Sequence, residues 1–345
     1  MTSPVGSLDD LRNPLVFAPE IFENNIGVGF TPIQVIIYEI LRKFNFYQIY
    51  ILTSLLSLTF IYLSIKKISS NKIISVCLLL NYPIIFCLAR ANNDIWLLGL
   101  LTYYLYFTLR KKQIYAAFSL GVITSIDPIF LLYSIIFLST RCKKFWVYYI
   151  PVNLILYTLP ILIFNANPVD QMINIVKQYL EYNQGMVSGD GGLLFGNSFL
   201  GLIKIMIILL FDTNHILKYM TIFQSLLIII SLIIIVYFRL TTKMNKDSSQ
   251  YLFILVTCVM ILFYSAAPDY KLIFLVPSLA LLVKNSKKEE VLLFIIINIV
   301  LLPKYFVWFR FDFNPTGFAI NSILNPILLL IIISFSLKKL IKRGY

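Results

Sequence analysis

Residues 84–96 read Ile84–Ile85–Phe86–Cys87–Leu88–Ala89–Arg90–Ala91–Asn92–Asn93–Asp94–Ile95–Trp96, and this stretch decides the fold. A polar island, Arg90 to Asp94, parts two apolar runs. Downstream come the basic triplet Arg110–Lys111–Lys112, the stretch Ala116–Ala117–Phe118–Ser119–Leu120–Gly121, an Asp127–Pro128 inside apolar sequence, and a second basic cluster, Arg141 with Lys143 and Lys144. Apolar runs near the length of a bilayer crossing, parted by short charged turns, are the pattern of membrane helices. About 20 residues cross the hydrocarbon, and a backbone in lipid must satisfy its own hydrogen bonds.

The rest of the chain repeats that pattern. Hydrophobic residues make up 59% of the 345 and charged residues 13%, with a mean hydropathy of +0.85. A soluble domain is about half apolar and a quarter charged. A net charge of +13 would suggest nucleic acid in a soluble protein. Here it is explained by basic residues collecting in cytoplasmic loops, and no nucleic-acid partner is expected. Cys77, Cys87, Cys142 and Cys258 have no paired spacing, so neither a disulfide framework nor a metal motif is indicated. With His215 the only histidine, no His-based metal cluster is expected. No cofactor is indicated, and a divalent metal is left open.

Apolar runs fall at about 46–65, 73–89, 95–109, 113–140, 145–165, 219–238, 250–265, 268–283, 290–309 and 317–337, and are expected to be helices. The turns at 66–72, 110–112, 141–144, 239–247 and 284–290 and the tail 338–345 hold most of the 29 lysines and arginines but only three of the 16 acids, Asp247, Glu289 and Glu290. The positive-inside rule places these segments in the cytoplasm. The run 113–140 has basic clusters at both ends and Asp127–Pro128 near its middle. Proline breaks a helix there, and a re-entrant hairpin entered from the inside fits better than a crossing. The expectation is an all-α, polytopic integral membrane protein with about nine transmembrane helices, that hairpin and outer interfacial helices. The amino end lies outside and the carboxyl end in the cytoplasm.

The whole chain reads as one transmembrane domain. It comprises an outer acidic segment at 1–45, an amino-terminal helix module at 46–165, an outer loop at 166–218 and a carboxyl-terminal bundle at 219–345. Within the outer loop, Met172, Ile173, Ile175, Val176, Tyr179 and Leu180 fall at helical spacing opposite Asn174, Lys177, Gln178 and Glu181. That is the signature of an interfacial amphipathic helix. A glycine-rich stretch with Asp190 follows, and the run 199–211 is read as a second interfacial or partly buried helix.

Phe30–Thr31–Pro32, the island Arg90–Ala91–Asn92–Asn93–Asp94, the basic-to-Gly121 stretch at 110–121 and the proline-containing hairpin before a basic turn together resemble the GT-C superfamily. The chain is most similar to polyprenol-phosphate-sugar mannosyltransferases of the type that includes the glycosylphosphatidylinositol mannosyltransferases and the bacterial family 87 enzymes. The resemblance implies a GT-C-like bundle and transfer of a hexose, with inversion, from a polyprenyl-phosphate-linked sugar donor to a glycan or glycolipid acceptor. It also implies a catalytic acid in the first outer loop, where Asp9 and Asp10 stand. Such enzymes keep one helix before that loop, and many carry a lysine where Asp127–Pro128 stands here. These departures keep a non-catalytic or shortened relative open as an alternative. A transporter is a second one, although acids gathered at outer helix ends rather than mid-membrane favour an enzyme.

Residue by residue, Asp9 or Asp10 would act as general base on an acceptor hydroxyl. Asp94 is either a helix cap or a second acid in contact with substrate, with Asn93 beside it as a substrate contact. Asp127 inside a membrane run is a functional-site candidate, unless a hairpin tip takes it to water. Arg90, Lys271 and Arg310, near outer helix ends, would hold a lipid phosphate or snorkel. Asp190 and Asp269, the latter within Asp269–Tyr270–Lys271, complete the set of substrate-binding candidates. Beyond substrates, the expected partner is membrane lipid.

Overall fold

The computed structural model describes residues 31–41, 43–90, 92–139, 142–163, 173, 177, 196–211, 220–242, 245–263, 269–285, 290–304, 308–311 and 314–344. The chain forms two compact units. The first comprises Met1–Leu80, Ile84–Leu131 and Thr140–Glu181; the second comprises Asn81–Pro83, Leu132–Ser139 and Tyr182–Tyr345.

Among the described residues, seven helices carry the first unit: α1 (Pro32–Leu41), α2 (Phe46–Ser69), α3 (Lys72–Leu79), α4 (Tyr82–Ala89, whose first two residues group with the second unit), α5 (Asp94–Leu109), α6 (Gln113–Ile126) and α7 (Lys143–Ile163). Their ends follow local chemistry. Asn45 Oδ1 accepts from the Tyr47 N–H at 3.0 Å and opens α2, as an N-cap side chain does. Ser70 closes α2 in the left-handed region, φ 61°, with its N–H on the Lys66 carbonyl. Asn71 Oδ1 accepts from Ile73 and Ile74 and opens α3.

α2 packs on α5, α5 on α6, α6 on α7, and α1 on α7. Two glycines allow the close crossings. A Cβ at Gly99 of α5 would collide with the Phe60 ring of α2, and one at Gly121 of α6 would meet Val152 Cγ1 of α7 at 2.6 Å. Small residues let helix backbones approach where lipid supplies no hydrophobic drive between helices. Polar side chains tie the α6–α7 crossing further. Thr124 Oγ1 lies 2.5 Å from Asn153 Oδ1, Asn153 Nδ2 donates to the Tyr149 carbonyl at 2.9 Å, and the Tyr157 hydroxyl donates to the Thr124 carbonyl at 3.3 Å.

The second unit holds a 3₁₀ segment (Pro128–Phe137, from Leu132 onward), α8 (Phe199–Phe211), α9 (Met220–Thr241), α10 (Lys246–Phe263), a second 3₁₀ segment (Asp269–Leu275), α11 (Val276–Asn285), α12 (Val291–Leu301), β1 (Trp308–Phe311), β2 (Asn314–Ala319) and α13 (Asn321–Gly344). α10 is its core and contacts α8, α9, α11 and α13. The Tyr133 hydroxyl and Thr257 Oγ1 are 2.8 Å apart, Arg239 Nε donates to the Ile136 carbonyl at 2.7 Å, and Tyr251 hydrogen-bonds Glu290. Asn325 Nδ2 donates to Asn197 Oδ1 at 2.6 Å.

The helical reading holds, and among the described residues five helices are long and apolar enough to cross a membrane: α2, α7, α9, α10 and α13. α3 and α4 would make a sixth as one broken span, bent by 54°. Three local features differ from the expectation. The run 73–89 is two helices rather than one. Pro83 has no N–H to continue α3 and stands instead in the first turn of α4, where no such donor is needed. The run 268–283 begins as a 3₁₀ turn before Pro277. The run 290–309 stays helical only to Leu301, just before Pro303, and then enters β1. β1 pairs antiparallel with β2, an irregularity falling between Phe309 and Phe311, so among the described residues a small two-stranded hairpin interrupts otherwise helical structure. At 127–128 the expected break is present: α6 ends at Ile126 and 3₁₀ backbone starts at Pro128.

Candidate functional site

The island is built by a helix end meeting a helix start. Where α4 ends, the Arg90 N–H reaches the Phe86 carbonyl and the Asn92 N–H reaches the Cys87 carbonyl. The Tyr50 hydroxyl of α2 donates to the Leu88 carbonyl at 3.3 Å and fixes that end. Asn92 then turns the chain: its Oδ1 accepts from the Asp94 N–H at 2.8 Å, and its carbonyl accepts from Ile95. Asparagine favours such turns because its side chain copies a backbone acceptor. Asn93 occupies the N-cap position of α5 without a side-chain cap bond.

Asp94 is therefore the first helical residue of α5, not its cap, and it is only 4% exposed. Its carboxylate sits at the positive end of the helix dipole, where negative charge is stabilised by about 0.3–1 kcal/mol. Arg90 is half-buried, with its guanidinium 5.9 Å from the Phe86 ring centroid. Asp127 ends α6 with its N–H on the Ile123 carbonyl, and its Oδ1 accepts from Ile129 at 3.1 Å. It is half-buried, so this carboxylate shapes the break at the proline.

A cavity of about 420 Å³ in the first unit adjoins the island. Leu88, Asn92, Asn93, Ile95, Trp96 and Leu100 form one wall, Leu52 to Ser57 of α2 a second, and Gln34, Ile37 and Leu41 of α1 a third, closed at Ile126. The volume falls in the range of about 300–1,000 Å³ usual for small-molecule sites. Leu52, Leu56 and Ile37 of this lining are exposed. Its body is apolar. Hydroxyls and amides from Gln34, Thr53, Ser54, Ser57, Asn92 and Asn93 gather on it.

Three stretches quoted from the sequence thus meet at one cavity of the first unit: the start of α1 after Thr31–Pro32, the island, and the end of α6. The Thr31 hydroxyl links two of them, lying 3.3 Å from the Ile126 carbonyl. Asp94 and Asp127 each neighbour lining residues without lining the cavity themselves. Lys271 belongs to the second unit, half-buried in the 3₁₀ turn, with Nζ 5.8 Å from the Phe274 ring centroid. Asp269 and Arg310 lie on described backbone of that unit, but their side chains are outside the described ones. Asp9, Asp10 and Asp190, like most of the amphipathic stretch at 172–181, lie outside the described residues. Among the described residues no group of three His, Cys, Asp or Glu side chains is placed to hold a metal ion.

Gln34, Thr53, Ser54 and Ser57 were not singled out from the sequence. The signal for Gln34 is Thr31–Pro32–Ile33–Gln34, a threonine, a proline at the first helical position and a glutamine three residues on, which is a capping-box pattern. The signal for the hydroxyls is their clustering within one turn of an apolar helix.

Compared with known protein families, residues 30–265, well over half of the chain, match the model of glycosyltransferase family 87. No curated protein and no solved structure matches. The chain belongs to glycosyltransferase family 87, and with its long apolar helices it is a multi-pass membrane glycosyltransferase.

Proposed function

We propose that this family 87 protein transfers a hexose, with mannose the first choice, from a polyprenyl-phosphate donor to a lipid-linked or glycan hydroxyl on the outer face of the membrane. The observation that carries the reading is the apolar cavity with a polar wall at the island, inside the region that matches the family. A lipid-linked donor must enter from the bilayer with its chain in an apolar slot while its head meets polar groups. Asp10, or Asp9 beside it, serves as general base. The acceptor oxygen bonds to the anomeric carbon and the bond from that carbon to the phosphate oxygen breaks. Polyprenyl phosphate leaves with the electron pair, and the hydroxyl proton passes to the carboxylate. Inversion needs no covalent intermediate, so one base suffices. Asn93, which lines the cavity, contacts the substrate from the island with Asp94 beside it, and a GT-C-like arrangement of about nine crossings with a re-entrant hairpin surrounds the site.

The reading requires the acidic amino-terminal segment to face outward and the basic turns inward. In a protein with Cys77 and Cys142 changed to serine, Asp9→Cys and Asp190→Cys are expected to react with a membrane-impermeant maleimide applied to intact cells. Lys111→Cys and Lys144→Cys, at exposed positions, should react only after permeabilisation. The opposite pattern overturns the orientation.

Lys271 is proposed to hold donor phosphate. Lys271→Ala should then raise the donor KM by about tenfold with little change in kcat, because a charge-assisted hydrogen bond to phosphate contributes on the order of 1.5–3 kcal/mol. Steady-state transfer of labelled sugar at varied donor concentration reads it, and an unchanged KM removes Lys271 from the site.

A further inference from the structure

We propose that Gln34 donates a hydrogen bond from its side-chain amide to a phosphate oxygen of the isoprenoid lipid whose chain fills the cavity. This rests on the lipid-linked donor reading above and assigns a residue that neither the family match nor the sequence motifs single out.

The orientation of this amide follows from chemistry. The Thr31 backbone N–H, which can only donate, lies 2.8 Å from one terminal atom of Gln34. That atom must be the oxygen, although the two ends of an amide look alike in shape. The Thr31 hydroxyl, 3.2 Å away, addresses the same oxygen. The Gln34 N–H in turn donates to the Thr31 carbonyl at 3.0 Å. These contacts lock the start of α1 and hold Gln34 Oε1 toward Thr31. That leaves the NH₂ group, with its two donors, off Thr31 on a side chain that lines the cavity.

Two neighbouring hydroxyls have acceptors within their own helix. Thr53 Oγ1 donates to the Tyr50 carbonyl at 3.2 Å and Ser57 Oγ to the Thr53 carbonyl at 2.6 Å. Gln34 is half-buried, and among the described residues its Nε2 has no acceptor, which leaves both amide N–H donors available to what occupies the cavity. Among the described residues, those lining the cavity include no carboxylate and no cation. A phosphate oxygen is the acceptor that fits: it is the strongest oxygen acceptor a lipid offers, and the apolar walls below suit a hydrocarbon chain.

The deciding variant is Gln34→Glu. Glutamate serves the same end-of-helix role as glutamine, so it keeps an oxygen on the Thr31 N–H while replacing the donor by an anionic oxygen. A purely structural role predicts no change. The full-length protein in nanodiscs is titrated with undecaprenyl monophosphate, undecaprenol and phosphatidic acid, and binding is read by native mass spectrometry. The unmodified protein is expected to prefer undecaprenyl monophosphate over undecaprenol by about tenfold or more, and Gln34→Glu should abolish that preference with its unfolding midpoint unchanged. Gln34→Met, which lacks the donor and carries no charge, should lose the preference as well.

Retention of the preference in Gln34→Glu or in Gln34→Met overturns the assignment while leaving the lipid-donor reading intact. No preference in the unmodified protein overturns that reading itself, and the assignment with it. Phosphatidic acid binding as tightly as undecaprenyl monophosphate overturns the isoprenoid identity of the ligand.

Discussion

Changing Asp9 and Asp10 together to asparagine is expected to slow sugar transfer by about 10²–10⁴-fold, the contribution of a positioned general base, and to leave donor binding intact. Asparagine keeps the size and the hydrogen-bonding carbonyl of aspartate but takes up no proton, so only the step that moves the acceptor proton suffers. The measurement is release of labelled polyprenyl phosphate and appearance of glycosylated acceptor in purified membranes, with kcat and KM separated. Asp94→Asn supplies the contrast. Asp94 is buried at the first position of α5, beside the island rather than in the outer acidic segment. If Asp94→Asn alone accounts for the loss and the Asp9, Asp10 double variant keeps full turnover, the base belongs to the island. If neither changes the rate, the base lies elsewhere. If the unmodified protein transfers nothing from several polyprenyl donors, the non-catalytic alternative takes over.

The second large effect concerns the walls of the cavity. Gly99→Leu is expected to lower stability in detergent by about 1–3 kcal/mol, the usual cost of overpacking, and to abolish transfer. A side chain at 99 collides with Phe60, which also packs its ring 5.3 Å from that of Tyr103. Relief would come from moving α5 away from α2. Those two helices supply Leu52, Thr53, Ser57, Ile95, Trp96 and Leu100 of the cavity lining, so the fold and the site fail together. Phe60→Ala in the same chain should restore much of the lost unfolding midpoint, because it vacates the space that the new side chain needs. A Gly99→Leu protein with an unaltered midpoint and full activity would show that the crossing is looser than this contact implies.

The apolar runs were legible because each is long and bounded by charge, and helices occupy all of them at least in part. The break at Asp127–Pro128 was legible because proline removes a helical donor in an otherwise uninterrupted run. The bend between α3 and α4 carried the same signal at Pro83, but the apolar run around it read as continuous. The β1–β2 hairpin was missed because Trp308–Phe309–Arg310–Phe311 is apolar enough to extend a helical run. Its aromatics favour strands once Pro303 has ended the helix. At the site, the island and the α6 end were marked by polar residues in apolar surroundings. Gln34 was not, because its role depends on which of its two amide atoms Thr31 occupies, and that is decided by folding rather than by residue type.

Among the five long apolar helices, α10 has 83% of its spanning window buried inside the protein, against 17–33% for the other four. Ser248, Ser249, Gln250 and Thr257 are among its buried residues. This has a consequence for biogenesis. A nascent chain emerges amino end first, so α10 reaches the membrane before α11, α12 and α13 exist to cover it. Its polar side chains make it a reluctant guest in lipid on its own, and α13, its most extensive partner in the second unit, is the last described helix to be synthesised. Until α13 arrives, α10 has to be sheltered at the translocon or by α9, and the second unit acquires its final packing only after nearly the whole chain has left the ribosome.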